Sequence, residues 1–176
     1  VVVDLAAERG GNVEPSRPDE TVVEHGVTIV ATGGQEWRGE VYLLGQDERV
    51  VTSLDLEEII THRPEQIVNL KEVVFIQCAG SRDPEHGVSY CSRICCMYTG
   101  KQAMLYKHAV HDGQAYVFYI DIRSDGKGYE EFIQRAMEEE DVLYLRGKVS
   151  KVFEQDGKVV VWGTDTLMGR WIELKV

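Results

Sequence analysis

Basic side chains are scarce in this sequence: 19 lysine and arginine residues stand against 30 acidic residues, which gives a net charge of −11. A nucleic-acid binder needs a basic stripe to neutralise phosphates, so this balance argues against such a partner, and it also disfavours an anionic membrane surface. No apolar run is long enough to cross a bilayer, so we expect no membrane insertion. The first twenty residues lack the basic segment and apolar core of a signal peptide. Together these absences predict a cytoplasmic protein.

Cysteine is also rare, and its four residues lie in one short window, at Cys78, Cys91, Cys95 and Cys96. Structural disulfides are uncommon in the cytoplasm, and the Cα atoms of neighbouring residues lie about 3.8 Å apart, below the usual disulfide range of about 4.4–6.8 Å. Zinc sites generally use cysteine pairs spaced by two to four residues. Only Cys91 and Cys95 approach that spacing, and binding one small ion through adjacent Cys95 and Cys96 would strain the backbone.

An iron–sulfur cubane eases this problem, because its four irons are separate sites and adjacent thiolates can bind different irons. Clustered cysteines also mark metal or redox sites more often than packed cores. Two alternatives stay open: small buried core residues, and a nucleophilic cysteine paired with His86 or His108. Arg93 and Lys101 are candidates to offset a cluster's charge, or are simply surface residues.

From residue 71 onwards, short apolar runs alternate with amphipathic segments. This order predicts an α/β, Rossmann-like fold in which a parallel sheet is joined by right-handed crossover helices. The predicted strands lie near residues 73–77, 115–121 and 142–149, and the predicted helices near 92–110 and 129–139. Asp156-Gly157 then predicts a tight antiparallel β-hairpin, and a last strand follows it.

The cysteines occupy a favourable place in this pattern. Cys78 follows the first strand, and the other three precede or open the next helix, in the crevice where parallel sheets bind ligands. Helix N-termini favour anions, and a thiolate-bound cluster is anionic.

Earlier in the chain, an apolar strand from Val27 to Ala31 leads into Thr32-Gly33-Gly34. A helix is predicted to start with Thr52 or Ser53 as its N-cap and to stop before Pro64. Helical spacing predicts the inward faces of the two crossover helices. They are Ile94, Met97, Lys101, Met104, Leu105 and Ala109 in the first, and Phe132, Ile133, Ala136 and Met137 in the second.

Three stretches resemble the A subunit of heterodisulfide reductase and its relatives, the flavin- and iron–sulfur-containing subunits of methanogens and sulfate reducers. They read VVFIQCAGSRD, YCSRICCMYTGKQA and YIDIRSDGKGYEEF. The resemblance implies that Cys78, Cys91, Cys95 and Cys96 bind a [4Fe–4S] cluster. The family's flavin module is similar to thioredoxin reductase, which implies that Thr32 and Gly33 lie near FAD and that residues 71–165 match the NADPH-binding domain.

The sequence departs from that pattern in two ways. After its first strand it has one early glycine, Gly80, instead of the G-x-G-x-x-G of a nicotinamide-binding domain, so we expect no dinucleotide there. Asp121 is accordingly interpreted as a salt-bridge partner of Arg123 or a capping residue. Flavin-fingerprint and ferredoxin motifs are also missing. We therefore expect a piece of a longer subunit, with residues 1–70 as part of a flavin domain and a linker, and residues 71–176 as the Rossmann-like domain.

The resemblance implies electron transfer between FAD and iron–sulfur centres within an oxidoreductase, with the isolated chain inactive by itself. Its implied partners are the other subunits of a heterodisulfide-reductase-like complex and a hydrogenase or another electron-donor subunit, and a homodimer is compatible with it. One alternative is a structural zinc or interaction module without redox activity. Another is a pyridine-nucleotide-dependent disulfide reductase, although the redox pair of such enzymes is normally Cys-x-x-Cys rather than adjacent cysteines.

Overall fold

The computed structural model describes residues 36–85 and 87–176, together with the backbone of residues 2–3, 21–24 and 27–30. The chain divides into two compact units, Val1–Trp37 and Arg38–Val176. The predicted boundary between residues 70 and 71 concerns domain identity and stays a prediction.

In the first unit, three short strands form one sheet: β1 (Val2–Val3), β2 (Thr21–Glu24) and β3 (Val27–Val30). The central strand β3 pairs parallel with β1 and antiparallel with β2. The strand predicted from Val27 is therefore present. The predicted flavin contacts, Thr32 and Gly33, lie outside the described residues.

The second unit begins its regular structure with helix α1 (Ser53–His62). Thr52 is its N-cap, as predicted. A capping box forms, because the Thr52 side chain accepts a hydrogen bond from the Asp55 amide and the Asp55 side chain accepts one from the Thr52 amide. The helix ends before Pro64, which opens a short 3₁₀ turn, Pro64–Gln66.

A parallel sheet follows, formed by β4 (Glu72–Ile76), β5 (Gln114–Tyr119) and β6 (Leu143–Arg146) in that spatial order. Helices α2 (Cys95–Ala109) and α3 (Tyr129–Glu138) connect successive strands. Both strand pairs are parallel, which confirms the predicted α/β arrangement.

The third parallel strand is shorter than the predicted 142–149. It ends at Arg146 because the backbone at Gly147 approaches the next sheet closely: a Cβ added at Gly147 would lie 1.8 Å from the carbonyl oxygen of Thr164. The chain then enters an antiparallel sheet of β7 (Val149–Gln155), β8 (Lys158–Asp165) and β9 (Arg170–Lys175). Asp156 and Gly157 turn the hairpin with φ values of 55° and 79°, as the Asp-Gly pair predicted.

Two hydrophobic cores lie on opposite faces of the parallel sheet. Ala115 and Val117 of β5 belong to the core beneath the helices, whereas Phe118 packs with the antiparallel sheet, as the alternation of side chains along a strand requires. Among the described residues, no helix is long and apolar enough to cross a membrane.

The predicted inward face of α3 is confirmed, because Ile133 and Ala136 are buried and Phe132 and Met137 are half-buried. The predicted face of α2 is wrong, since Ile94 lies before the helix and is 56% exposed. Helix α2 packs between α1 and α3, so its covered surface is broad and includes polar side chains. The buried residues of α2 are Cys95, Cys96, Thr99, Gly100, Gln102, Ala103, Tyr106 and Lys107.

Candidate metal centre

The loop that leaves β4 folds back on itself before α2 begins. Cys78 has a left-handed backbone, with φ of 61°, which turns the chain away from the strand. The amide of Val88 then donates to the carbonyl of Gly80 at 2.9 Å, and the amide of Asp83 donates to the carbonyl of Val88 at 3.0 Å. A Cβ added at Gly87 would lie 2.2 Å from the oxygen of Gly80, so this close approach requires glycine. The fold of the loop returns the chain towards the strand that it left.

Three of the four cysteine sulfurs meet at the junction of this loop and α2. Cys95 and Cys96 are buried in the first turn of α2, Cys78 is half-buried, and all are free thiols. Hydrogen bonds with the thiols of Cys78 and Cys96 lower the pKa of Cys95 to about 2. The hydrogen bonds to Cys95 raise the pKa of Cys78 and the pKa of Cys96. Burial of each thiol raises its pKa further. The three sulfurs therefore compete for protons and ionise as one group.

The fourth cysteine, Cys91, lies at the rim of this group. Its sulfur accepts a hydrogen bond from the backbone amide of Arg93 at 3.3 Å, and it is near enough to Cys96 for their charges to interact. In the part of the chain that the structure describes, no three or more His, Cys, Asp or Glu side chains are arranged to hold a metal ion. The candidate donors are thus four thiols: Cys95 bonds both Cys78 and Cys96, and Cys91 lies beside them.

Paired charges surround the cysteines at the carboxyl end of the sheet. Arg82 Nη1 lies 2.7 Å from Asp121 Oδ1, and Arg123 Nε lies 3.3 Å from the same oxygen. Burial opposes ionisation of Asp121, but the hydrogen bonds from the two arginines outweigh it and lower the pKa of this carboxyl. The predicted pairing of Asp121 with Arg123 is confirmed. The contact with Arg82 was not predicted, and it ties the cysteine loop to the end of β5.

The other two candidate cations have carboxylate partners as well. Arg93 Nη2 lies 2.6 Å from Asp125 Oδ2. Lys101 binds Glu57 of α1, so it holds two helices together. Of the two, only Arg93 is adjacent to a cysteine in the loop.

A buried hydroxyl, that of Tyr144, lies close to the N-terminal half of α2. Tyr144, on β6, has a buried Oη with no hydrogen-bond partner among the described residues. Burial, then the charges of Cys96 and Tyr119, raise the pKa of Tyr144 to about 12. A Cβ added at Gly100 of α2 would lie 3.6 Å from this oxygen. A role for Tyr144 was not predicted from the sequence. The one feature that could have indicated it was Gly100, a glycine inside the predicted helix that carries the cysteines.

Exposed apolar side chains lie next to the cysteines in the sequence. Tyr90 and Ile94, on either side of Cys91 in the sequence, are 69% and 56% exposed. Scattered apolar residues are normal on protein surfaces, but here two of them flank a half-buried cysteine. The surface of the unit is therefore close to Cys91, whereas Cys95 and Cys96 are buried behind it.

Comparison with known proteins finds one family model and a group of relatives. The model described as the C-terminal domain of alanine dehydrogenase/PNT matches residues 1–36. The A subunit of the H2:CoB–CoM heterodisulfide,ferredoxin reductase of Methanothermobacter marburgensis is 37% identical over 98% of this chain. The A subunit of the H2/formate:CoB–CoM heterodisulfide,ferredoxin reductase of Methanococcus maripaludis is 38% identical over 90% of it. The iron-sulfur A subunit of the CoB–CoM heterodisulfide reductase of Methanocaldococcus jannaschii is also 38% identical over 90%. The chain spans 26–28% of the length of these relatives.

Proposed function

The chain is a relative of one segment of the heterodisulfide reductase A subunit, and from this premise we propose that it carries electrons between FAD and iron–sulfur centres in a protein of that kind. The observation that supports the proposal most is the meeting of the thiols of Cys78, Cys95 and Cys96 with Cys91 at their rim. One of the relatives is named as an iron-sulfur subunit. The proposal concerns the full-length protein. This chain spans about a quarter of the length of the relatives it matches.

In this proposal, Cys78, Cys91, Cys95 and Cys96 each bind one iron of a [4Fe–4S] cluster. A bound cluster of this type accepts and releases single electrons. The four free thiols suit a cluster better than one zinc ion, because thiolates on separate irons need not surround a common point. The rim position of Cys91 and the adjacency of Cys95 and Cys96 both fit that spread of ligands.

The surroundings of the cysteines also favour an anionic group. Cys95 and Cys96 occupy the N-terminus of α2, where backbone amides and the helix dipole attract negative charge. Arg82 is near enough to Cys78 for its charge to lower the pKa of that thiol, against the raising effects of the Cys95 hydrogen bond and burial. Arg93 and Arg123 interact electrostatically with Cys91. Three arginines thus lie within electrostatic reach of the thiols, each also paired with Asp121 or Asp125.

The exposed edge at Tyr90 and Ile94 gives this site access to a redox partner. We propose that the partners are the disulfide-reducing subunit of the complex and a hydrogenase or another electron donor, in the cytoplasm. Thr32 and Gly33 are proposed to lie near FAD in the full-length protein, in keeping with the family resemblance of their sequence stretch.

Anaerobic reconstitution of the chain with iron and sulfide tests the cluster. We expect four irons and four sulfides per chain, as the formula requires, and an electron paramagnetic resonance signal after reduction. Cys78→Ala, Cys91→Ala, Cys95→Ala and Cys96→Ala should each lose or convert that signal, because each thiolate holds its own iron. Ser81→Ala, in the same loop, is the matched control and should keep the signal.

Two results would contradict the assignment. A full [4Fe–4S] signal in Cys96→Ala would make Cys96 a core residue and remove the fourth ligand. Binding of one zinc per chain, with no iron–sulfur signal under any reconstitution condition, would instead favour the structural zinc module.

A further inference from the structure

We propose that Tyr144 is a positioning residue that donates a hydrogen bond from its hydroxyl to the sulfur of Cys96 when the cluster is bound, and so raises the cluster's reduction potential. This inference rests on the proposed function, since it concerns one residue facing the same site. It assigns a chemical role to a strand residue that lies 48 positions after Cys96 in the sequence.

The first argument is the state of the hydroxyl itself. Tyr144 Oη is buried and has no hydrogen-bond partner within residues 36–85 and 87–176. A buried hydroxyl without a partner costs free energy, and such groups are rare in folded proteins. Tyr106 provides a contrast within the same core, because its hydroxyl donates to the carbonyl of Leu70 at 2.9 Å. The polar end of Tyr144 therefore needs a partner that the described polypeptide does not provide.

The second argument is where the hydroxyl lies. A Cβ at Gly100 would come within 3.6 Å of Tyr144 Oη and 2.7 Å of Ile133 Cδ1, so the glycine leaves room for both side chains against α2. Cys96 and Gly100 are four residues apart on this helix and share a face. The Tyr144 hydroxyl thus lies over the face of α2 that carries the Cys96 thiol one turn earlier. The electrostatic interaction between Tyr144 and Cys96 agrees with this placement.

The third argument is chemical. A hydroxyl in this apolar setting keeps its proton and is a donor, and thiolate sulfur is an acceptor. A hydrogen bond to a charged acceptor is stronger than one between neutral groups. Reduction adds one electron to a cluster and makes its ligands more negative, so a fixed donor stabilises the reduced form more than the oxidised form. Hydrogen bonds to the sulfurs are one of the terms that set the potential of iron–sulfur clusters.

The test compares Tyr144→Phe with Tyr106→Phe in the reconstituted chain, by potentiometric titration followed with electron paramagnetic resonance. For Tyr144→Phe we expect the ratio of oxidised to reduced cluster at a fixed potential to rise about threefold to tenfold, where tenfold corresponds to about 59 mV for a one-electron couple. In D2O, an exchangeable deuteron coupled to the reduced cluster should be present in the wild type and lost in Tyr144→Phe. Tyr106→Phe should leave both the ratio and the coupling unchanged.

The stability of the metal-free chain is a second measurement, in which the two variants should show the opposite pattern: Tyr106→Phe should have an effect and Tyr144→Phe should cause no loss. Tyr144→Phe should leave the midpoint of chemical denaturation unchanged or raise it, because it removes a buried hydroxyl without a partner. Tyr106→Phe should lower the midpoint, because it leaves the carbonyl of Leu70 without its donor. A merely structural role for Tyr144 would make Tyr144→Phe lower the midpoint of the metal-free chain and leave the potential of the cluster unchanged.

The outcomes separate this inference from the proposed function. A wild-type chain that forms the cluster, with Tyr144→Phe giving the same potential and the same deuteron coupling, would overturn the role of Tyr144 alone. A wild-type chain that forms no cluster would overturn the proposed function and this inference with it.

Discussion

Helices α1 and α2 lie side by side, but they begin in opposite ways. At the start of α1, the amide of Asp55 donates to the Thr52 hydroxyl at 3.2 Å, and the amide of Thr52 donates to the Asp55 carboxylate at 3.2 Å. At the start of α2, the N-cap is Ile94, and no side chain in the described part of the chain caps the helix. Helix N-termini leave amides that need acceptors. In α1, side chains at the helix start accept hydrogen bonds from these amides. In α2, the amides lie beside the thiols of Cys95 and Cys96.

The capped helix α1 carries no cysteine, whereas α2, which carries Cys95 and Cys96, has no side-chain cap among the described residues. A side-chain cap on α2 would place an oxygen beside Cys95 and Cys96, and an anionic ligand can serve the same amides. Local rules of sequence and structure tend to be broken at functional sites. Three such features occur near one end of the parallel sheet in the described structure: the missing cap, the left-handed backbone of Cys78 and the Tyr144 hydroxyl without a partner.

The two helices are joined by one buried side chain. Gln102 of α2 donates from Nε2 to the carbonyl of Ser53 at 2.9 Å and to Glu57 Oε2 at 3.0 Å, and it is 2% exposed. The capped helix α1 is therefore fixed against the middle of the cysteine-bearing helix. We therefore expect α1 to stabilise the uncapped end of α2 indirectly.

The largest effect is expected from breaking this link. Gln102→Ala should lower the free energy of unfolding by about 2–3 kcal/mol, because it removes two buried hydrogen bonds and leaves a cavity. Urea denaturation of the metal-free chain measures this change. Gln134→Ala is the control, because Gln134 bonds Glu138 on the exposed surface of α3, and it should change stability by less than about 0.5 kcal/mol. Equal losses in the two variants would show that α1 does not support α2.

A smaller effect is expected from exchanging the two kinds of helix start. Thr52→Ala should lower the free energy of unfolding by about 1 kcal/mol through loss of the cap, and it should leave iron content unchanged. Ile94→Asp should raise the stability of the metal-free chain by about 0.5–1 kcal/mol, because a carboxylate at a helix start is favourable. It should also lower the iron retained after reconstitution, since the new charge repels an anionic group.

Ile94→Asn separates the two contributions, because asparagine is a good capping residue without charge. We expect it to stabilise the metal-free chain similarly and to retain more iron than Ile94→Asp. Denaturation and iron analysis of the same samples provide both readouts. If Ile94→Asp retained as much iron as the wild type, the open start of α2 would have no bearing on the cysteines.

The same contrast explains what the sequence alone could predict. Thr52 and Asp55 are three residues apart, and Asp156 and Gly157 are adjacent, so the cap and the hairpin follow from local patterns. The proposed cysteine site was predicted in the same way, from close spacing.

Features that depend on distant contacts were missed or wrong. Arg82 and Asp121 are 39 residues apart, and no local pattern pairs them. The buried face of α2 was mispredicted because α1, α3 and the sheet cover more than one side of the helix, which places Gln102 inside and leaves Lys101 exposed. The hydroxyl of Tyr144 could not be placed, since its position depends on the order of strands in the sheet.

The smallest expected effect is a lack of nicotinamide binding at the start of α2. In a dinucleotide-binding domain, a glycine-rich loop lets the backbone approach the pyrophosphate at the helix N-terminus. Here Cys78, Cys95 and Cys96 occupy that place, and the loop contains a tight internal contact between Gly80 and Gly87. We therefore expect isothermal titration calorimetry to detect no NADH or NADPH binding tighter than about millimolar, which corresponds to roughly −4 kcal/mol. A micromolar dissociation constant that Gly80→Val abolished would show that this loop binds phosphate after all, and that the open amides of α2 serve a nucleotide rather than a cluster.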